Sequence, residues 1–223
     1  GNIRYAAGGV LNLGLLDAGA GNVLITTGSD LRDANGGALN LSANAVQLRV
    51  GGAIGPAGSG GAIDLSASTL AATSNGVFNI ASRRSLTLGV VPGINVQRVG
   101  VNGQPNTLAG STLSTLSSGG GSIALSSSGS SLRLAAPLSS GGGNISLTNA
   151  GAIRLGASIS TGSGGQISLT ATGGSSDIVR EQASAGIRTG TLRVNAGRDV
   201  LLDGPGALSA GSVGRITGSA GRT

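Results

Sequence analysis

The sequence has no cysteine, histidine, methionine, tryptophan or lysine, and these absences exclude several kinds of chemistry. Without cysteine there is neither a disulfide framework nor a thiolate metal site. Without histidine the commonest general base and transition-metal ligand is missing, so serine–histidine catalysis within this chain is excluded. A phosphate-binding Gly-x-x-x-x-Gly-Lys loop cannot form either, because it needs a lysine.

Aromatic side chains are almost as scarce, since Tyr5 and Phe78 are the only two in 223 residues. Compact cores draw much of their buried area from aromatic rings, so an ordinary globular enzyme core is not expected. With only five prolines and no strict Gly-X-Y period, the chain is not collagen. No apolar run approaches the roughly 20 residues that a membrane-spanning helix needs, so we expect no transmembrane segment.

Glycine and aliphatic side chains dominate what is present. The chain has 44 glycines, yet 39 % of its residues are hydrophobic and only 10 % are charged, which argues against a disordered segment. Long helices are not expected, because each glycine inside a helix costs about 1 kcal/mol. The composition favours a fold of many short strands joined by tight turns.

Internal repeats are visible in the chain. The segments GGGSIALS at 119–126, GGGNISLT at 141–148 and SGGQISLT at 163–170 place equivalent residues 22 positions apart. Apolar residues alternate with period two inside each copy, which is the strand period. A fixed period of this size is typical of solenoids, in which stacking buries a strip that one coil cannot bury alone. The predicted core ladder is Ile123, Ile145, Ile167, Leu125, Leu147 and Leu169.

Each repeat contains two further apolar positions. A second alternating pair occurs at positions such as Val46–Leu48 and Leu132–Leu134, and a weaker third position follows at Ile54, Leu138 and Ile159. The pattern predicts three short strands per coil of about 21–22 residues, looser copies starting at Val23, and nine or ten coils in all. The fold class is therefore all-β, a parallel β-helix. Hairpins in a sandwich or barrel are the rival, but they do not predict identity at a fixed period.

Residues 1–223 form a single predicted β-helical segment with two breaks in the pattern, at 89–110 and 173–190. The first break is predicted as a loop or a distorted coil, and the second is longer than the neighbouring repeats. Each is either a tolerated surface loop or a recognition element, since insertions in solenoids emerge on one face. The chain starts at Gly1 without an initiator methionine or a signal-peptide pattern, so we interpret it as a piece of a longer polypeptide.

Carboxylate pairs are the remaining candidates for catalysis, because a β-helix can be a polysaccharide lyase or hydrolase. The pairs are close in sequence and lie in or beside predicted turns, where Asp is common for local hydrogen bonding. They are Asp30 with Asp33, Asp177 with Glu181, and Asp199 with Asp203. No calcium-binding repeat or EF-hand loop occurs, so we expect a chain that is not an enzyme and has no cofactor and no metal.

Arginine supplies all 14 basic residues and a net charge of +6. Arg49, Arg133 and Arg154 fall at outward positions of the second predicted strand, and Arg133 and Arg154 are expected side by side on successive coils. Such a row is either a contact for acidic glycans or a solvated face. Nucleic acid is not expected without stacking aromatics. Aligned Ser126, Thr148 and Thr170 leave ice binding as a further alternative, although they form no Thr-x-Thr rows.

The Gly-Gly-x-Ile-x-Leu-Ser/Thr strands, the NAGRDV turn at 195–200 and the segment LDGPGALSAG at 202–211 resemble filamentous haemagglutinin-type exoproteins of Gram-negative bacteria. The resemblance covers essentially the whole chain. It implies a right-handed parallel β-helix, secreted through an outer-membrane partner by two-partner secretion and displayed on the bacterial cell surface. Members include adhesins, haemolysins and the stalks of growth-inhibition toxins.

The expected function is a non-catalytic, extracellular shaft of an adhesin or filament that displays a distal functional domain. The alternative is a carbohydrate-binding module or a carbohydrate-active β-helix enzyme, with host or bacterial surface glycans as ligands. Open coil edges invite end-to-end or lateral self-association.

Overall fold

The computed structural model describes residues 1–56, 61–162, 164–203 and 213–221, and in these residues the protein is all-β with no helix. Its strands wind into a parallel β-helix of about nine turns, which confirms the predicted fold class. We number the turns as coils 1 to 9 from the N-terminal side. Successive coils pair through parallel ladders, so each strand lies beside its equivalent in the next coil.

Coils 1 to 4 each begin with a strand of five or six residues and continue through shorter ones. Their strands are β1 (Ile3–Ala7), β2 (Leu11–Leu13) and β3 (Leu16–Asp17) in coil 1; β4 (Asn22–Thr27), β5 (Leu31–Asp33) and β6 (Leu41–Ser42) in coil 2; β7 (Ala45–Val50) and β8 (Ile63–Ser66) in coil 3; and β9 (Thr69–Ser74) and β10 (Phe78–Ser82) in coil 4.

Coils 5 to 9 reverse this order, with short strands first and the long strand last. Their strands are β11 (Leu86–Leu88), β14 (Leu116–Ser118) and β15 (Ile123–Ser127) in coil 5; β16 (Ser131–Leu134), β17 (Leu138–Ser139) and β18 (Ile145–Asn149) in coil 6; β19 (Ala152–Leu155), β20 (Ile159–Ser160) and β21 (Gln166–Ala171) in coil 7; β22 (Ile178–Arg180) and β23 (Ile187–Ala196) in coil 8; and β24 (Val200–Leu201) and β25 (Val213–Ala220) in coil 9. Two further strands, β12 (Val96–Val99) and β13 (Pro105–Leu108), belong to an insertion in coil 5.

The predicted core ladder is confirmed. Ile145 lies between Ile123 and Ile167 in the parallel ladders, and the leucine row runs beside them in the same way. All six side chains are at most 2 % exposed. Burying an aliphatic side chain of this size stabilises the folded state by about 1.5–3 kcal/mol. Phe78 lies in register with Ile123 and carries the column into coil 4.

The face of the β-helix that has one long strand in each coil is not the same in coils 1 to 4 as in coils 5 to 9. Strand β9 pairs with β11 through its first residues and with β14 through its last, so one long face becomes two short ones. This corrects the assumed alignment of the looser repeats. Val23 lies in register with Val46 and not in the Ile123 column, whereas Ile54 bridges Leu31 and Phe78 and so belongs to that column.

Buried hydroxyl groups at the ends of strands stabilise many of the corners. Thr27 Oγ1 donates to Ser29 O at 2.6 Å, and Ser82 Oγ donates to Arg84 O at 2.9 Å. An inward-facing polar group must be hydrogen-bonded, and these hydroxyls satisfy themselves on the turn that follows. The same contact to a carbonyl two or three residues ahead is made by Ser74, Ser118, Ser140 and Thr189.

Glycines occupy the corners where the predicted strands turn. Gly141 and Gly142 have φ of +61° and +151°, values that favour glycine. A Cβ on Gly143 would lie 2.5 Å from the carbonyl carbon of Gly121 in the preceding coil. Corner glycines therefore serve both the backbone conformation and the close approach of stacked coils.

Candidate functional site

An insertion at residues 89–115, here called the strap, leaves coil 5 between β11 and β14. Its two legs are joined by an antiparallel bridge between Val91 and Leu113 and continue into the antiparallel pair β12–β13. The first predicted break, 89–110, is thus a long hairpin and not a distorted coil. It lies against the outer side of the long face of the first four coils.

Apolar contacts seat the strap. Val91, Ile94 and Leu113 form a second, smaller core with outward-facing side chains of the long face, among them Leu24 and Ala71. These two outward residues are 4 % and 0 % exposed, although alternation would place them in solvent. The strap therefore converts an outer face into a buried interface.

Gln47 holds both legs of the strap at once. Its Nε2 lies 2.6 Å from Val91 O, 3.0 Å from Pro92 O and 3.1 Å from Ser111 O. The side chain is fully buried, and its Oε1 has no hydrogen-bond partner among the residues that the structure describes. Val91 O also accepts from Leu113 N, and Ser111 O also accepts from Arg49 Nη2, so the amide adds to contacts that these two carbonyls already make. Because one buried amide reaches carbonyls of both legs, Gln47 is an anchor of the strap.

Arg49, one of the three predicted glycan-contact residues, lies beside Gln47 and also binds the strap. Its Nη2 donates to Ser111 O at 3.2 Å, Ser111 Oγ at 3.0 Å and Thr112 O at 3.2 Å. In coil 1, Arg4 Nη1 donates to Leu108 O and Ala109 O at 3.0 and 2.7 Å. These guanidinium groups fix the course of the strap.

Arg133 and Arg154 lie directly opposite each other in the β16–β19 ladder, as predicted. A residue from the second break, Glu181, joins them: its Oε2 accepts from Arg133 Nε at 2.7 Å, and its Oε1 lies 3.6 Å from Arg154 Nη1. The arginine side chains remain 42 % and 46 % exposed. Gly156 lies beside this arrangement, and a Cβ there would lie 2.9 Å from Leu134 O in the preceding coil.

The second break, 173–190, is largely a regular coil that contributes β22 and the start of β23. Arg180 shapes its turn, donating to Ala183 O and, from Nε at 3.0 Å, to Ala185 O. Asp177 accepts a hydrogen bond from Arg198, and this contact holds the pKa of the Asp177 carboxyl below its ordinary value of 3.8. The pKa of Arg198 is raised in turn.

The acids of the three candidate carboxylate pairs have other partners in the described part of the chain. Asp30 binds Arg32 at 2.8 Å and accepts from Ala53 N, whereas Asp33 faces the core and accepts from Asn40 Nδ2 at 2.8 Å. Asp177 pairs with Arg198, and Glu181 pairs with the two ladder arginines. Asp199 lies 3.7 Å from Arg198 Nε. In the described residues, the carboxylates of five of these acids therefore contact arginines or core groups; the five are Asp30, Asp33, Asp177, Glu181 and Asp199.

Charge is distributed unevenly along the chain. No acidic residue occurs between Asp64 and Asp177, a stretch that contains five arginines. Folding brings acids to three of them, because Glu181 binds Arg133 and Arg154, and Asp64 binds Arg83. The ladder arginines thus form part of an ion-pair network and not an isolated cationic row.

The described residues contain no group of three or more acidic side chains that could hold a metal ion. They contain no helix long and apolar enough to cross a membrane. Comparison of the chain with known proteins finds no matching family model, no matching curated sequence and no matching solved structure.

Sequence reasoning missed the strap contacts because the outward position of Gln47 looks like any polar surface position. The clue available was a run of outward residues in the long strands, Leu24, Gln47 and Ala71, that lacks charge. Alternating strands with an uncharged outer row are typical of a covered sheet face.

Proposed function

We propose that this chain is a non-catalytic structural shaft of a secreted bacterial surface adhesin or filament, which holds a distal functional domain away from the cell. The observation that supports the proposal best is the continuous core column, in which Phe78, Ile123, Ile145 and Ile167 stack in register. About nine turns at roughly 4.8 Å each make a rod of about 43 Å.

The resemblance to filamentous haemagglutinin-type repeats supports the secreted, cell-surface setting and export through an outer-membrane partner. The chemistry of the surface fits a mechanical role, because the acids that an enzyme would need are held by arginines or the core. A shaft requires only that inward residues stack, so its outer faces are free to vary.

Deleting whole turns tests the shaft. Removing residues 123–166 takes out 44 residues, two periods, and places Ile167 where Ile123 stood, in register with Phe78. We expect a folded rod shortened by about 10 Å, measured by small-angle X-ray scattering, with cooperative thermal unfolding.

The matched control removes residues 123–165, one residue fewer. It moves every following side chain to the opposite face and brings Gln166 into the core column, so we expect loss of folded structure. A 44-residue deletion that unfolds, or a 43-residue deletion that folds equally well, would contradict a shaft of interchangeable turns.

A carbohydrate-binding module remains the second candidate, and the side-by-side, half-exposed Arg133 and Arg154 favour it. Two guanidinium groups on adjacent strands suit sulfate or carboxylate groups of acidic glycans. A glycan array probed with the chain and with the Arg133→Ala, Arg154→Ala double variant separates the candidates. Binding that is lost in the variant supports the module, and no binding in either protein supports the shaft.

A further inference from the structure

Three asparagines in this chain are followed directly by a glycine, namely Asn35, Asn75 and Asn102. In such a pair the backbone nitrogen of the glycine can attack the side-chain carbonyl carbon of the asparagine, because glycine carries no Cβ to hinder the approach. The attack requires an amide side chain and a backbone that are free to rearrange. The structure places the three pairs in three different surroundings.

The first pair is held in place by hydrogen bonds at every polar atom of its side chain. Asn35 Nδ2 donates to Gly14 O at 2.9 Å and to Leu39 O at 3.0 Å. Its Oδ1 accepts from Nδ2 of the fully buried Asn40 at 2.8 Å. Moving this amide toward Gly36 N breaks these contacts, so reaction at Asn35 is disfavoured.

The second pair is held by the preceding coil. Asn75 Nδ2 donates to Gly51 O at 3.0 Å. Gly76 N, the atom that would attack, donates to Gly52 O at 3.0 Å, and a Cβ on Gly76 would lie 3.1 Å from Ala53. The turn at Asn75 therefore cannot rearrange without breaking contacts between coil 3 and coil 4.

The third pair lies between β12 and β13, in the part of the strap that is outside the stacked coils. Asn102 is exposed, and within the described residues its Nδ2 makes no hydrogen bond. Gly103 has a φ of +74°, and a Cβ there would meet no atom within 4 Å. Its N–H donates only inside the same turn, to Gly100 O at 3.0 Å. Opening this turn therefore breaks one local hydrogen bond and no contact between coils.

A hydrogen bond at the reacting group favours attack at the same position. Gln104 N donates to Asn102 Oδ1 at 3.1 Å. That oxygen gains negative charge when Gly103 N bonds to the Cγ atom of Asn102. A backbone N–H directed at such an oxygen stabilises the charge as it develops. The turn thus combines a nucleophile that is easily released with a donor already in place.

From these differences we propose that Asn102 is a site of spontaneous deamidation and that the other two pairs are protected. Gly103 N loses its proton to solvent and forms a bond to Asn102 Cγ. The Cγ–Nδ2 bond then breaks, and the nitrogen takes a proton from water and leaves as ammonia. The product is a five-membered succinimide. A water molecule opens this ring at either carbonyl group, which leaves an aspartate or an isoaspartate at position 102.

The modification changes both the charge and the shape of the strap between β12 and β13. Arg98 lines the same hollow of about 530 Å³ as Asn102, and it makes no ion pair within the described residues. The new carboxylate gives Arg98 a neighbour of opposite charge and lowers the net charge of the chain by one, from +6. An isoaspartate also adds one carbon to the main chain of the turn.

Peptide mapping of the folded and the unfolded chain tests the proposal. Trypsin cleaves after arginine, and the three pairs fall on three different peptides, 33–49, 50–83 and 99–133. The intact chain is incubated at mildly alkaline pH with and without guanidinium chloride, and mass spectrometry follows deamidation on each peptide over time. In denaturant we expect similar rates at all three pairs. In the folded protein the first two should slow by at least about tenfold, since each must break two or more hydrogen bonds, whereas Asn102 should keep its rate.

Asn106 is the matched control on the same peptide. It is exposed like Asn102, but it precedes Thr107, whose branched side chain hinders attack. Asn106 should stay unmodified, and Asn102→Ser should abolish the modification of this peptide without changing the melting temperature. Protection of Asn102 on folding as strong as that of the other two pairs would overturn the proposal. Equal rates at Asn102 and Asn106, or no protection of the other two pairs, would overturn it as well.

Discussion

In coils 1 to 4 the long face is covered by the strap, whereas in coils 6 to 8 the continuation of that sheet is open and carries the Arg133–Glu181–Arg154 contacts. Both regions have the same kind of core, with Ile25 and Leu48 buried in one and Ile145 and Leu147 in the other. The comparison shows that inward residues determine the stack, while outward residues determine what covers it.

The strap leaves the coils at a place where it disrupts little. It enters between β11 and β14, where the six-residue face of β9 has become two short strands. Both ends of this 27-residue insertion, 89–115, keep hydrogen bonds to β9, because Gly89 N donates to Leu70 O at 3.0 Å and Thr115 O accepts from Ala72 N at 3.1 Å. Solenoids tolerate insertions at such corners for this reason.

The largest expected effect is at the shared core. Ile145→Asp places a charge between Ile123 and Ile167, without a partner, and should destabilise the protein by more than about 4 kcal/mol or prevent folding. Ser146→Asp, one position away and exposed, should change stability by less than about 0.5 kcal/mol. Denaturant unfolding measures both, and similar losses would contradict the assigned alternation.

A smaller effect is expected at the covered face. Gln47→Ala removes the amide that holds both legs and should cost about 1–3 kcal/mol. Hydrogen exchange should become faster at the amides of Val91 and Leu113, which bond each other, and should be unchanged at the amide of Ile145.

Gln166→Ala is the control for that change, because the Gln166 side chain makes no contact with the strap and lies partly exposed in β21. It should leave exchange at Val91 unchanged. Equal exchange in the two variants would show that the Gln47 amide is not needed to hold the strap.

The open face should be the least sensitive to substitution. Glu181→Gln removes the charge between two half-exposed arginines, and exposed ion pairs contribute less than about 1 kcal/mol. The loss should shrink further in high salt, as measured by thermal unfolding at two ionic strengths. A loss as large as that of Gln47→Ala would contradict the distinction between the two faces.

The pH dependence of stability should come partly from Asp177. Its folded pKa lies below 3.8 because Arg198 donates to it, so the unfolded chain binds more protons below that pH. Stability contributed by this contact is present above pH 3.8 and is lost as the pH falls through the folded value. Asp177→Asn should flatten the decline of the melting temperature between pH 5 and about 2.5, and an unchanged decline would exclude this role.

The core ladder could be predicted because identical residues at a 22-residue spacing report stacking directly. The alignment of Val23 could not be predicted, because an alternating apolar pair has the same sequence pattern on every face of the β-helix. Only the strand pairing shows that Val23 aligns with Val46. Glu181 lies 48 residues from Arg133, and their contact depends on the length of each intervening coil.

The path of the strap has a consequence for the order of folding. The side chains that donate hydrogen bonds to the strap lie in coils 1 and 3, but residues 89–115 follow coil 4 in the chain. A chain that folds from its N-terminal end must therefore stack four coils while Leu24 and Ala71 are still exposed to water. The long loops between the strap and coils 1 and 3 close only afterwards. The covered outer face is completed later than the core, so an interrupted synthesis leaves an intermediate with stacked coils, exposed apolar residues and a tendency to aggregate.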